Sequence, residues 1–178
     1  MPLYTDISLM YYREDLIRPL KGSGRIMEGL EGSLSWRDFL TLCGRLRESG
    51  LENPLYVFAA DRFEGLTCSF IEGLAGFGQS IMAGDSSRGA ERIGPGNIGA
   101  DRINLVTPEA VETVRILADL VQKYRYSPRE VLDLDEYEGY LYALRNDAVF
   151  IRGWPGFLRQ HRPEMDEEGK MKHIRVAA

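Results

Sequence analysis

The chain has 178 residues, 44% hydrophobic and 28% charged, an ordinary composition for a globular protein. A chain of this length buries about 70% of its unfolded surface, so it needs neither a disulfide nor a metal to fold. The net charge of −5 argues against a general binder of nucleic acid or anionic membrane, and no apolar run approaches the roughly 18 to 20 residues that span a bilayer.

Leu3 to Arg13 is rich in β-branched and aromatic residues and predicts a strand. Glu14 to Ile17 predicts a short helix stopped by Pro19, and the glycine-rich stretch Lys21 to Leu34 predicts a loop. Ser35 reads as a helix cap with Asp38 three residues on. Trp36, Phe39, Leu40, Cys43 and Leu46 then form one apolar stripe that ends at Gly50. Leu55 to Ala60 predicts a buried strand. Asp61 is the expected cap of the next helix, which carries Phe63, Leu66, Phe70 and Leu74 at helical spacing. Gly76 to Gly99 predicts a long loop, and Ile103 to Val106 a short strand. Thr107-Pro108-Glu109 is a helix start, with a cap, a proline at the first position and an acid in the first turn. Val111, Val114, Leu117, Ala118 and Val121 are its expected inward face. A helix is predicted from Asp135 to Leu144, with Tyr137, Leu141 and Leu144 inward. There follow a strand at Ala148 to Arg152, a short helix after Pro155, an acidic turn near Glu164 to Lys170, and a last strand at His173 to Ala177. Alternating strands and helices predict one α/β domain with a sheet covered on both faces.

Several motifs are excluded by context. Gly94-Pro95-Gly96-Asn97-Ile98-Gly99 matches the dinucleotide fingerprint by letter, but it lies in a glycine-rich loop and precedes a predicted strand rather than opening a helix. Gly84-Asp85-Ser86-Ser87-Arg88 lacks the closing glycine of a nucleophile elbow. Cys43 and Cys68 read as free thiols among apolar neighbours. They and the two histidines, His161 and His173, have no metal-ligand spacing, so no metal or cofactor is expected. Met1 to Asp6 lacks the basic-then-apolar pattern of a signal peptide.

The segment AVFIRGWPGFL is the most informative stretch. Trp154 follows an apolar strand, where α/β sheets hold ligands. An indole there suits stacking on a sugar ring; the alternative is a core or edge aromatic. Asp6 and Glu64 read as paired carboxylates of a glycoside hydrolase, as sugar-binding carboxylates, or as solvated acids.

Five segments in order resemble the second lobe of bacterial extracellular solute-binding proteins of the maltose/trehalose type, the sugar-binding component of ABC importers. They are Pro2-Leu3-Tyr4-Thr5-Asp6 leading to Tyr11-Tyr12-Arg13-Glu14-Asp15-Leu16; Ser35-Trp36-Arg37-Asp38-Phe39; Phe63-Glu64-Gly65-Leu66-Thr67-Cys68; Thr107-Pro108-Glu109-Ala110-Val111; and Leu144 to Pro155. The resemblance implies a three-layer α/β sandwich, one lobe of a type II periplasmic-binding-protein-like fold, over residues 1–178. It implies a carbohydrate-binding rather than catalytic role, a first lobe and a membrane permease as partners, and a periplasmic or extracytoplasmic setting for the parent protein. It places Tyr4, Asp6 and Trp154 in the ligand cleft, with Phe63 and Glu64 beside them. The sequence departs from the family at Gly153, where an asparagine is common, at Gly156, where an aromatic is common, and in the glycine-rich lead into the Trp36 helix. An excised lobe is the expected reading, because family members are about twice this long. Two other functions are weighed: a hydrolase using Asp6 and Glu64, and an interaction module that self-associates through surface the absent elements would cover.

Overall fold

Four short strands make one mixed sheet in a computed structural model of the chain, which describes residues 7–81, 105–156 and 169–177. The strands are β1 (Leu9–Arg13), β2 (Tyr56–Val57), β3 (Phe150–Gly153) and β4 (Ile174–Val176), in the order β2-β3-β1-β4. β1 is antiparallel to both neighbours, with Leu9 opposite Gly153 and Arg13 opposite Ile174, while β2 runs parallel to β3. Six helices accompany them among the described residues: α1 (Glu14–Ile17), α2 (Ser23–Leu30), α3 (Trp36–Glu48), α4 (Glu64–Ala75), α5 (Pro108–Gln122) and α6 (Glu136–Arg145).

Side-chain alternation along β2 and β3 explains the layers. Phe150 and Tyr56 point to one face and meet Phe39 of α3 edge-on, with ring centroids 5.3 and 5.1 Å apart. Val57 points to the other face and meets α6 at Gly139. Both faces of β3 are buried, so the strand reads as a continuous apolar run interrupted only by Arg152. The sheet thus has helices on both sides, as a three-layer α/β sandwich requires.

Local chemistry sets three of the six helix starts. Ser35 accepts from the amide of Asp38 at 3.2 Å, and its hydroxyl donates to the Asp38 carboxylate at 2.6 Å. Thr107 accepts from the amide of Ala110 at 3.0 Å, with Pro108 at the first helical position. Asp135 and Glu138 form a reciprocal capping box at the start of α6.

Several expectations are corrected. The predicted loop at Lys21 to Leu34 contains α2: Ile26 and Leu30, four apart, are buried, and their burial outweighs the roughly 1 kcal/mol each that Gly24 and Gly29 cost an exposed helix face. Gly22 precedes it at φ +81°, a left-handed conformation that favours glycine. Leu55 to Ala60 is buried throughout, but the ladder covers only Tyr56 and Val57. Beyond it, the Ala60 and Asp61 amides donate to the Val131 and Leu134 carbonyls instead. Asp61 does not cap α4. Its carboxylate accepts from the Arg62 amide at 2.6 Å, and Phe63 occupies the cap position without a side-chain bond.

On α5, Val111 and Val114 are 50% and 56% exposed, and the inward face is Ala110, Thr113, Ile116, Leu117, Leu120 and Val121. Thr113 takes this place because its hydroxyl donates to the Glu109 carbonyl at 2.8 Å, leaving its methyl to pack on Gly73 of α4. On α6, the fully buried residues are Gly139, Tyr140, Ala143 and Leu144, while Tyr137 and Leu141 are half-buried. Of the strand expected at Ile103 to Val106, the described residues Leu105 and Val106 are exposed and belong to no strand of the sheet. Most of the glycine-rich loop and of the acidic turn lies outside the described residues. The last strand forms as expected and closes the sheet beside β1.

Candidate functional site

The register places the C-terminal ends of β2 and β3 and the N-terminal end of β1 at one edge of the sheet. β3 leaves this edge into Trp154, and β2 leaves it through Phe58 to Ala60 toward Phe63 and Glu64. Such an edge is where open α/β sheets hold ligands. The structure therefore brings Phe63, Glu64 and Trp154 to one side of the domain. Tyr4 and Asp6 lie outside the described residues, which enter the same edge at Ile7.

Trp154 is half-buried and held at two points. Its carbonyl oxygen accepts from the Tyr11 hydroxyl at 3.3 Å, from a tyrosine with no exposed surface. The Arg152 guanidinium carbon lies 4.3 Å from the centre of its ring. That distance is within the range of a cation–π contact. Arg152 is itself clamped. Its Nε and Nη2 donate to the two carboxylate oxygens of Glu72 on α4 at 3.2 and 2.6 Å, and its Nη1 donates to Glu136 on α6 at 3.5 Å. The Arg152 side chain is only 3% exposed. Burial pulls it toward the neutral form, but the hydrogen bond and charge of Glu72 prevail and raise its pKa above the ordinary arginine value.

Phe63 and Gly65 shape the start of α4. A Cβ at Gly65 would stand 2.5 Å from the Phe63 ring and 2.7 Å from the Glu136 carboxylate, so only glycine lets the three meet. Glu64 is exposed, and its carboxylate has no hydrogen bond or ion pair among the described residues. Gly156 has open space around it. Among the described residues, no group of three His, Cys, Asp or Glu side chains is placed to hold a metal ion. Grooves elsewhere include one of about 880 Å³ between α3 and α5, with Trp36, Asp38 and Tyr124, and an apolar one of about 660 Å³ between α4 and α5. Neither contains Trp154. Trp154 is only half-buried at its edge, and a partly exposed indole can offer a flat apolar face with a polar N–H beside it.

Fold and edge together define one lobe of the type II periplasmic-binding-protein architecture. Solved structures with this fold include T. maritima MalE3 with maltose bound, at TM-score 0.70 and 24% identity over 99% of this chain and 39% of that one. They also include an ABC transporter solute-binding protein of Thermotoga lettingae TMO bound with α-D-tagatose, at TM-score 0.67 and 17% identity over 99% of this chain and 40% of that one. Another, from Agrobacterium radiobacter K84 in complex with ribitol, has TM-score 0.62 and 15% identity over 96% and 37%. A curated relative from Deinococcus radiodurans, named "probable ABC transporter-binding protein", is 24% identical over 159 residues, 87% of this chain and 32% of that protein. No protein-family profile matches the chain. The chain thus spans about a third of the curated relative and about two fifths of these solved chains.

Sequence reasoning missed Arg152, Glu72 and Glu136. A signal was present: an arginine inside an apolar strand needs buried partners, because lone buried charges are too costly. The identity of those partners was not readable, since Glu72 lies 80 positions away.

Proposed function

We propose that the chain is the ligand-binding lobe of an extracytoplasmic solute-binding protein that serves an ABC importer, and that its ligand is a carbohydrate or related polyol. The observation that carries this reading is the Trp154 indole, fixed at the ligand edge of a lobe whose structural relatives were solved with maltose, tagatose and ribitol. Trp154 stacks on the ligand, Phe63 adds an apolar wall, and Glu64 with Tyr4 and Asp6 meets the hydroxyls. Charge-assisted bonds from a carboxylate to two hydroxyls supply orientation. The other wall of the cleft belongs to a first lobe, and a membrane permease receives the loaded protein. The role is binding rather than catalysis, in keeping with the names of the relatives.

One lobe makes only half of the contacts, so its affinity falls in the millimolar range. The test is an NMR titration of the folded chain with maltose, tagatose and ribitol, following the Trp154 indole N–H. Saturable shifts that vanish in Trp154→Ala are expected, with unchanged far-UV circular dichroism. A folded protein whose indole ignores every sugar at tens of millimolar would refute the carbohydrate reading.

A further inference from the structure

We infer that Arg152 is a positioning residue that holds the Trp154 indole in a single orientation; the inference rests on reading Trp154 as the stacking surface. A buried arginine between two glutamates is an unusual choice for a strand that is otherwise apolar, because a hydrophobic side chain fills such a place at least as stably. The trio therefore calls for a role beyond stability, and its geometry provides one. Glu72 grips the guanidinium from α4 through two parallel bonds, and Glu136 takes a third nitrogen from α6. Contacts to two helices fix the plane of the guanidinium, since the fork is rigid. The guanidinium carbon so held lies over the indole, 4.3 Å from the ring centre.

The Tyr11 hydroxyl holds the Trp154 backbone from a neighbouring strand. With its backbone and one ring face fixed, the indole has little freedom left. It meets a ligand already ordered, so binding need not freeze the side chain. Lysine cannot replace arginine here: it keeps the charge but has no planar fork to hold or to stack. Glu72 and Glu136 act through Arg152, and Gly65 permits the close approach of Glu136.

The test uses the full chain carrying Arg152→Lys, Glu72→Gln, or both, in a Trp36→Phe background so that Trp154 is the only fluorophore of its kind. Acrylamide quenching of Trp154 should rise about threefold in Arg152→Lys and by less in Glu72→Gln, with far-UV circular dichroism unchanged. Sugar affinity should fall about two- to tenfold, the cost of ordering one freed side chain on binding. Independently, the Arg152 Nε–H resonance of the wild-type chain should be shifted upfield by the indole ring, and Trp154→Leu should abolish that shift. Unchanged quenching in folded Arg152→Lys overturns the inference. If the substituted chains do not fold, the wild-type ring-current shift decides, and its absence overturns the inference equally. Absence of sugar binding, together with increased quenching in Arg152→Lys, defeats the carbohydrate reading and leaves the positioning role standing.

Discussion

Gly73→Ala is the sharpest probe of how α4 is seated. A Cβ at this position would lie 2.6 Å from the Thr113 methyl on α5. Carbon atoms pack at about 3.5 to 4.0 Å, so the two helices must separate by about 1 Å. Thr113 cannot turn aside: it is 1% exposed, and its hydroxyl is bonded to the Glu109 carbonyl. Overpacking costs about 1 to 3 kcal/mol, and a 2.6 Å approach to a locked side chain belongs to the upper half of that range, about 2 to 3 kcal/mol; alanine's better helix propensity returns about 1 kcal/mol. The net loss is about 1 to 2 kcal/mol, which lowers the melting temperature by about 2 to 8 °C for a chain of this length. Calorimetry or circular dichroism melting reads it. Thr113→Ser removes the clashing methyl, so the double variant should recover most of the loss, giving a coupling of about 1 kcal/mol between the two sites. Glu72 adjoins Gly73, so a displaced α4 should also loosen the Arg152 clamp and raise Trp154 quenching. A Gly73→Ala chain that is as stable as wild type would refute the argument, because it would mean the helices do not approach this closely.

Other outcomes can be checked with the same preparations. The Asp15 carboxyl is held below its ordinary value, chiefly by its hydrogen bond from Arg13. A folded-state pKa below the unfolded one adds stability above about pH 4 that is lost as the pH falls through the folded value. Urea melts across the acid range should therefore show a shallower acid loss in Asp15→Asn than in wild type. Burial pushes the Cys43 thiol up to about 12, while Cys68 is half-buried. Thiol titration of the native chain should label Cys68 first, with Cys43 reacting only after denaturant is added.

The parts of the fold that were legible in the sequence are those governed by local chemistry. Ser35, Thr107 and Asp135 bond to amides three residues away, and each marks a helix start correctly. The strand before Trp154 was legible because both of its faces are buried. The failures share a different cause: tertiary contacts. α2 survives its glycines only through the burial of Ile26 and Leu30, and the α5 face is set by Gly73 across the helix pair rather than by its own valines. Of the candidate site, the place of Trp154 just after a strand was legible in the sequence, whereas Phe63 and Glu64 were singled out through the family resemblance. The Arg152 clamp was not legible, because its partners come from helices far away in sequence, and no pattern of period 2 or 3.6 carries that information.

The arrangement of β1 has a kinetic consequence. Both of its ladder partners come from the far end of the chain, and the Tyr11 hydroxyl reaches an acceptor 143 positions away. During synthesis, Leu9–Arg13 must wait unpaired until the distant β3 and β4 have emerged. Contacts this distant form late, since the loop between them must close before they stabilise anything. The central strand is thus a late event in folding, and the Trp154 edge, anchored to it, is completed later still. Until then the apolar face of β1 is open to other chains, and unpaired apolar strands of this kind favour aggregation during folding.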